Sequence, residues 1–333
     1  MRIGAVLALT AACAAAQAET VPPRPQPAAR PHARPAARPT PRPAPLVEVP
    51  LGVRVAGEAF TLPVMSAFVL PGDALDIEVL VPPLEEPYEL TAKEGEIQKK
   101  SPKRWTWIAP EAPAEYEIVL HDRGRGGKLT LHAFVMVPAK AVKGGVLNGY
   151  KIGDYPARPP TGKPVYTPPR GFVEVTRAND GTSLTPHFKL KQFLCKQPGD
   201  FPKYVVLNAA LLLKLEAVLA AVQKAGHKVD TLHVMSGYRT PFYNAAIENV
   251  KLSQHVYGNA ADVFLDADDN ETMDDLDHDG KISKSDSKAL FDIVDAMDRA
   301  SGARFTGGLG LYGGTHAHGP FVHIDVRGNL ARW

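Results

Sequence analysis

His255 and Asp262 stand seven residues apart in Ser253-Gln254-His255-Val256-Tyr257-Gly258-Asn259-Ala260-Ala261-Asp262, and His323 follows in Phe321-Val322-His323-Ile324-Asp325. Two imidazoles and one carboxylate make the ligand set of a zinc ion that keeps a fourth position for water. The spacing constrains the backbone. On a continuous helix, seven positions span roughly 10 Å at about 1.5 Å per residue. That is too far for two side chains to share one ion through bonds of about 2 Å. The chain must therefore turn between them, and Gly258 is the residue that turns without steric cost. Ala260 and Ala261 then keep the backbone slim.

The 333 residues exceed a usual single domain, so two folded units with linkers are expected. The net charge of +2 conceals an asymmetry. Residues 1–46 carry six Arg against one Glu, a net of +5, which leaves +2 − 5 = −3 for the remainder. A mildly acidic folded part offers no broad footprint for nucleic acid. Met1 to Ala18 reads as a secretory signal: Arg2, an apolar core over Ile3–Ala16, and an Ala16-Gln17-Ala18 cleavage site. The protein is accordingly expected outside the cytoplasm of a bacterium, in the periplasm or an equivalent space. Thr10-Ala11-Ala12-Cys13 loosely resembles a lipoprotein box, so membrane attachment would require lipidation of Cys13. If Cys13 leaves with the signal, Cys195 alone remains, no intrachain disulfide can form, and Cys195 is read as a small core residue.

Residues 19–46 form a Pro/Arg-rich linker, with ten prolines between Val21 and Leu46. Such a tract cannot bury a core and behaves as a semi-rigid spacer. Over 47–140 the apolar pattern has period two: Leu75, Ile77 and Val79; Tyr116, Ile118 and Leu120; Leu129, Leu131, Ala133 and Val135. Short alternating runs separated by turn signals predict a small all-β sandwich. Trp105 and Trp107 are read as its core aromatics, with an exposed binding stripe as the alternative. Residues 141–170, rich in Gly, Pro and Lys, are expected to be a second linker. From 171 to 333 the pattern is mixed α+β, an antiparallel sheet with flanking helices. Leu211, Leu212, Leu215, Val218, Leu219 and Val222 mark a helical face between an Asn208 cap and a Gly226 stop. A strand over 232–235 and a short helix over 243–250 are expected to follow.

The set Ser236-Gly237-Tyr238-Arg239-Thr240, the complete Ser-x-His-x-x-Gly-x-Ala-x-Asp run at 253–262, and Phe321-Val322-His323 resembles the zinc D-alanyl-D-alanine peptidases, a superfamily that includes the hedgehog signalling domain. The C-terminal Phe321 to Arg327 with Arg332-Trp333 looks most like the murein endopeptidase K branch. The resemblance covers about 170–333 and implies that His255, Asp262 and His323 hold Zn2+. It also places Arg239 beside the substrate, where a guanidinium suits the planar carboxylate of a peptide stem. An Arg that only pins the 236–243 loop is the plainer reading. Many members place a Glu three residues before the last His ligand as the base, a position held here by Pro320. Asp325 is the leading substitute, since residues two apart on a strand share a face; it would either take the proton or orient a ligand imidazole. His318 is the rival base.

The implied activity is hydrolysis of D-amino-acid peptide bonds in peptidoglycan stem peptides, as a DD-endopeptidase on cross-links. A DD- or LD-carboxypeptidase and a non-catalytic, metal-stabilised wall-binding module are the alternatives. A second metal pattern spans 275–286. Asp275, Asp277, Asp279, Lys281, Ser283 and Asp286 occupy positions 1, 3, 5, 7, 9 and 12 of an EF-hand-like loop, with Gly280 at position 6. Structural Ca2+ is the expectation, weakened by Asp rather than Glu at position 12.

Overall fold

Alternation carries the N-terminal half into strands. The computed structural model describes residues 51–80, 88–156 and 163–333; the signal segment, the 19–46 tract and Cys13 lie outside the described residues. One sheet contains β1 (Val53–Val55), β2 (Glu58–Phe60), β4 (Ala74–Val79), β6 (Glu96–Ser101) and β7 (Arg104–Ile108), in the order β2-β1-β4-β7-β6. A second contains β3 (Val64–Val69), β5 (Tyr88–Ala92), β8 (Ala114–Asp122) and β9 (Lys128–Val135), in the order β3-β9-β8-β5. The residues at period two turn inward: Leu75, Ile77, Ile118, Leu120, Leu129 and Leu131 are buried. Trp105 and Trp107 are core aromatics, and the Trp107 indole donates to the Glu94 carbonyl at 2.9 Å.

The expected linker at 141–170 contributes structure in its described part. The strands β11 (Val146–Leu147) and β12 (Tyr150–Lys151) pair there, and Leu147, Tyr150 and Ile152 are buried. Apolar side chains among the glycines explain this, because each can be removed from water only by packing. On either side, β10 (Val137–Pro138) pairs with β13 (Gly171–Val175), which pairs with β14 (Lys203–Val205). The described residues from 51 to 333 form one compact unit with a continuous apolar core. The Ser66 hydroxyl donates to the Leu184 carbonyl at 3.0 Å across its middle.

The C-terminal sheet positions the chemistry. It runs β15 (His233–Ser236), β16 (Ala260–Phe264), β18 (Phe321–Asp325), β17 (Gly308–Tyr312) and β19 (Ala331–Arg332), with only β17 and β19 parallel. Helix α1 (Ala209–Lys224) begins where Asn208 accepts from the Ala210 amide and ends before Gly226 at φ +105°. Helix α2 (Pro241–Ala246) is shorter than the 243–250 expectation. Thr240 caps it and Pro241 fixes its first turn, so it starts earlier. Helix α3 (Lys284–Ala300) packs on α1 and on β17 and β18. Buried Lys214 of α1 ties these layers together, donating to Asp298 at 3.0 Å and to the carbonyls of Phe305 and Asp325 at 2.9 and 3.3 Å.

Gly258 closes the turn that brings β16 back. It holds φ +69°, and a Cβ there would lie 2.4 Å from the Val206 carbonyl oxygen. Both the left-handed backbone and the close approach exclude a side chain. Gly258→Ala should lower unfolding free energy by about 2–4 kcal/mol, read by urea denaturation. A change below about 0.5 kcal/mol would show that neither constraint operates.

Candidate metal centre

The register of the C-terminal sheet sets a row of four residues across four strands. Ser236 on β15 pairs with Asp262 on β16, Asp262 with His323 on β18, and His323 with Gly310 on β17. His255 joins them from the 3-10 turn Gln254–Tyr257 that Gly258 terminates. The three expected ligands are therefore neighbours, and all are buried. His255 Nε2 lies 3.1 Å from Asp262 Oδ1, His323 Nδ1 lies 2.8 Å from the same oxygen, and the two imidazole nitrogens are 3.2 Å apart.

Those separations fit a metal ion. A tetrahedral shell with bonds of about 2.0 Å has edges of about 3.3 Å. The proton positions point the same way. His255 Nδ1 is 2.7 Å from the Gly237 carbonyl, an acceptor only, so that nitrogen carries the hydrogen. His323 Nε2 is 3.1 Å from Asp325 Oδ2, which likewise makes it a donor. Each ring then turns a lone pair, through His255 Nε2 and His323 Nδ1, toward an anionic carboxylate oxygen. Three such atoms can converge in a buried place when a cation or a proton lies between them, and this donor set suits a metal ion.

The titration directions agree. Burial raises the Asp262 carboxyl, but the flanking imidazoles of His255 and His323 outweigh it and hold the group far below the usual carboxylate range. Burial dominates at His255 and lowers it. At His323, burial is outweighed by Asp262 and Asp325 on its two sides, so its pKa is raised. A metal held at His323 Nδ1 has to displace any proton carried there.

Arg239 is engaged with the centre itself. Its Nε donates to the Ser236 hydroxyl at 2.8 Å and its Nη2 to Asp262 Oδ2. It thus fixes the second carboxylate oxygen, leaving Oδ1 for the ion. Nη1 makes no hydrogen bond among the described residues. Asp325 stands behind the His323 ring. It does share the face of His323, but it meets the ring nitrogen that points away from Asp262. Its oxygens also accept from the Gly308 amide at 2.7 Å, the Arg327 amide at 3.0 Å and the Arg327 guanidinium. Burial raises Asp325, yet His323 and Arg327 prevail and keep it ionised well below the ordinary range. A carboxylate so surrounded orients an imidazole and is a poor base, so of its two considered roles the geometry supports the orienting one. His318 lies in the loop before β18. Its Nδ1 faces the Gly319 carbonyl at 2.8 Å and its ring meets Phe321 edge-on at 5.0 Å, which leaves Nε2 available.

Other residues contribute to the centre that the sequence reading gave no role there. Trp333 lies against the His323 ring, 5.3 Å between centroids, and its indole donates to the Tyr312 hydroxyl at 2.7 Å. Gly310 makes room for it: a Cβ there would sit 2.6 Å from the indole. Gly308 does the same for Asp325, where a Cβ would lie 2.4 Å from Oδ2. Two glycines at alternate positions of an otherwise apolar strand are the readable signal, since strand glycines mark close approach.

In the 275–286 loop, Asp275, Asp277 and Asp286 each bring an oxygen within 4.8 Å of the others. Asp275 accepts from the Gly280 and Asp279 amides, at 2.8 and 3.2 Å. Asp279 accepts from the Lys281 amide at 2.8 Å, and Ser283 caps α3. Asp286 has backbone partners as well. It is buried as the acidic partner of that cap and accepts from the amides of Leu276 and Ser283 at 2.7 and 2.6 Å. Its short side chain reaches the backbone while one oxygen stays within 4.8 Å of carboxylate oxygens of Asp275 and Asp277.

If Asp325 orients His323, Asp325→Asn should weaken zinc affinity about 10- to 100-fold, read by chelator competition. Unchanged affinity would remove it from the centre. Residues 186–284 match the family model described as Peptidase M15, a stretch that contains His255 and Asp262. No curated protein matches the chain. The match and the convergent His-Asp-His group together support placing this region of the chain in the M15 zinc peptidase superfamily.

Proposed function

We propose that the protein is an exported bacterial zinc peptidase that hydrolyses D-amino-acid peptide bonds of peptidoglycan, acting as a DD-endopeptidase on cross-links. The observation that carries the reading is the convergence of His255 Nε2, Asp262 Oδ1 and His323 Nδ1, with both imidazole tautomers fixed from behind. The Peptidase M15 match over 186–284 supports the reaction class. The murein endopeptidase K likeness of 321–327 and the secretory signal support the substrate and the compartment.

A zinc ion held by His255, Asp262 and His323 would supply Lewis-acid polarisation of an amide carbonyl and activation of water. The chain's own groups do the rest. Arg239 holds Asp262 from Oδ2. His318, with Nε2 unengaged, is assigned the proton transfer to the leaving amine. Asp325 and the Gly237 carbonyl keep the two imidazoles in their working tautomers.

Cross-linked muropeptides incubated with zinc-loaded protein should lose dimers and yield monomers, with a chelator abolishing the reaction. His323→Ala should reduce kcat/KM at least about 10³-fold, the order seen when a central catalytic element is removed. Release of single terminal residues with dimers intact would select a carboxypeptidase. Binding without turnover would select the wall-binding module. For the 275–286 loop, structural calcium rests on the sequence pattern and on the three grouped carboxylates. Added Ca2+ should raise the melting temperature of the wild type and not of Asp275→Ala; equal responses would end the calcium reading.

A further inference from the structure

The face of β18 that carries His323 continues past the metal centre. Asp325 lies next on that face, and Arg327 reaches back to it from two residues on, its guanidinium 4.9 Å from the Trp333 ring. Beyond Arg327 the surface opens into a pocket of about 640 Å³ lined by Lys163, Thr167, Asn208, Asn259, Arg327 and Asn329, among others. None of its lining residues is acidic. The wall is rigid. Asn208 donates to Asn259 at 2.9 Å, and Asn259 donates to the Val165 carbonyl and the Gln254 side chain at 3.2 and 3.1 Å. Their polar groups are thus committed to one another.

Two cationic donors of the lining are left for a ligand. Lys163 is exposed and has no ion-pair partner among the described residues. Arg327 gives Nε and Nη2 to Asp325, while Nη1 has no partner among the described residues. Because Asp325 offsets the Arg327 charge, Lys163 supplies the net positive charge and Arg327 supplies direction. A planar carboxylate fits this pair, as guanidinium matches it in plane and ammonium accepts it from any side. From His323 to Arg327 the backbone spans at most roughly 13 Å, at about 3.3 Å per residue, the reach of about four residues of an extended peptide.

We propose that this pocket is a specificity subsite for a free carboxylate of the stem peptide, read by Lys163 and Arg327 a few residues from the bond that is cut. The inference rests on the peptidase reading above. It adds a determinant separate from Arg239, whose guanidinium belongs to the metal centre.

The test compares two cross-linked muropeptides, one with free stem carboxylates and one amidated at them, on zinc-loaded full-length protein. Wild type should prefer the free acid by about tenfold in kcat/KM, the size of a charge-assisted contact. Lys163→Ala should bring the acid-to-amide ratio close to one, and Lys163→Glu should invert it. A wild-type ratio near one, or a ratio retained in Lys163→Ala, overturns the proposal. Arg327 is left intact because its loss would also disturb Asp325. If neither muropeptide is cleaved, the peptidase reading fails, and calorimetry of the same two compounds decides the subsite. A tighter Kd for the acid that Lys163→Ala abolishes sustains it, and equal Kd values overturn it.

Discussion

Asp262 Oδ1 is the atom on which the centre is organised, because two imidazole lone pairs and one carboxylate oxygen meet there within 3.2 Å. Such an arrangement is repulsive unless a cation or a proton occupies it, so everything behind these atoms must hold them in place. The Gly237 carbonyl fixes one ring, Asp325 the other, and Arg239 the carboxylate. The sheet provides the spacing: Asp262 and His323 are direct cross-strand partners, so the antiparallel register alone sets their side chains side by side.

Support for the centre extends into the helical layer. Lys214 donates to the Asp325 carbonyl and pairs with Asp298 of α3, which also accepts from Arg332 at 3.0 Å. A fully buried ammonium is costly to keep, and its desolvation lowers the Lys214 pKa against the pull of Asp298. Its place beneath Asp325 couples the metal strand to α1 and α3. Rigidity at Asp325 therefore comes from three layers of the fold.

The ligand triad was legible because its chemistry is local: a His-x6-Asp spacing cannot serve one ion without a turn, and Gly258 marked that turn. The helical stretch and its Asn208 cap were legible for the same reason. The partners behind the ligands were not. Arg239 reads as a substrate-binding residue or as a pin for the 236–243 loop, and its contact with Asp262 emerges only once the β15–β16 register is known. Period two correctly put Asp325 on the face of His323, but strand periodicity says nothing about which ring nitrogen a carboxylate meets. Asp286 reads as a chelator by position, whereas a cap on α3 competes for the same oxygens. Trp333 reaches His323 only because Gly310 on the adjacent strand leaves room for it, a relation between distant segments.

X-ray absorption spectroscopy of protein reconstituted with zinc tests the centre most directly. The account predicts one zinc per chain with two imidazole nitrogens at about 2.0–2.1 Å and oxygen ligands completing a four-coordinate shell. A zinc bound by oxygen alone, or a stoichiometry that survives removal of both His255 and His323, would contradict it.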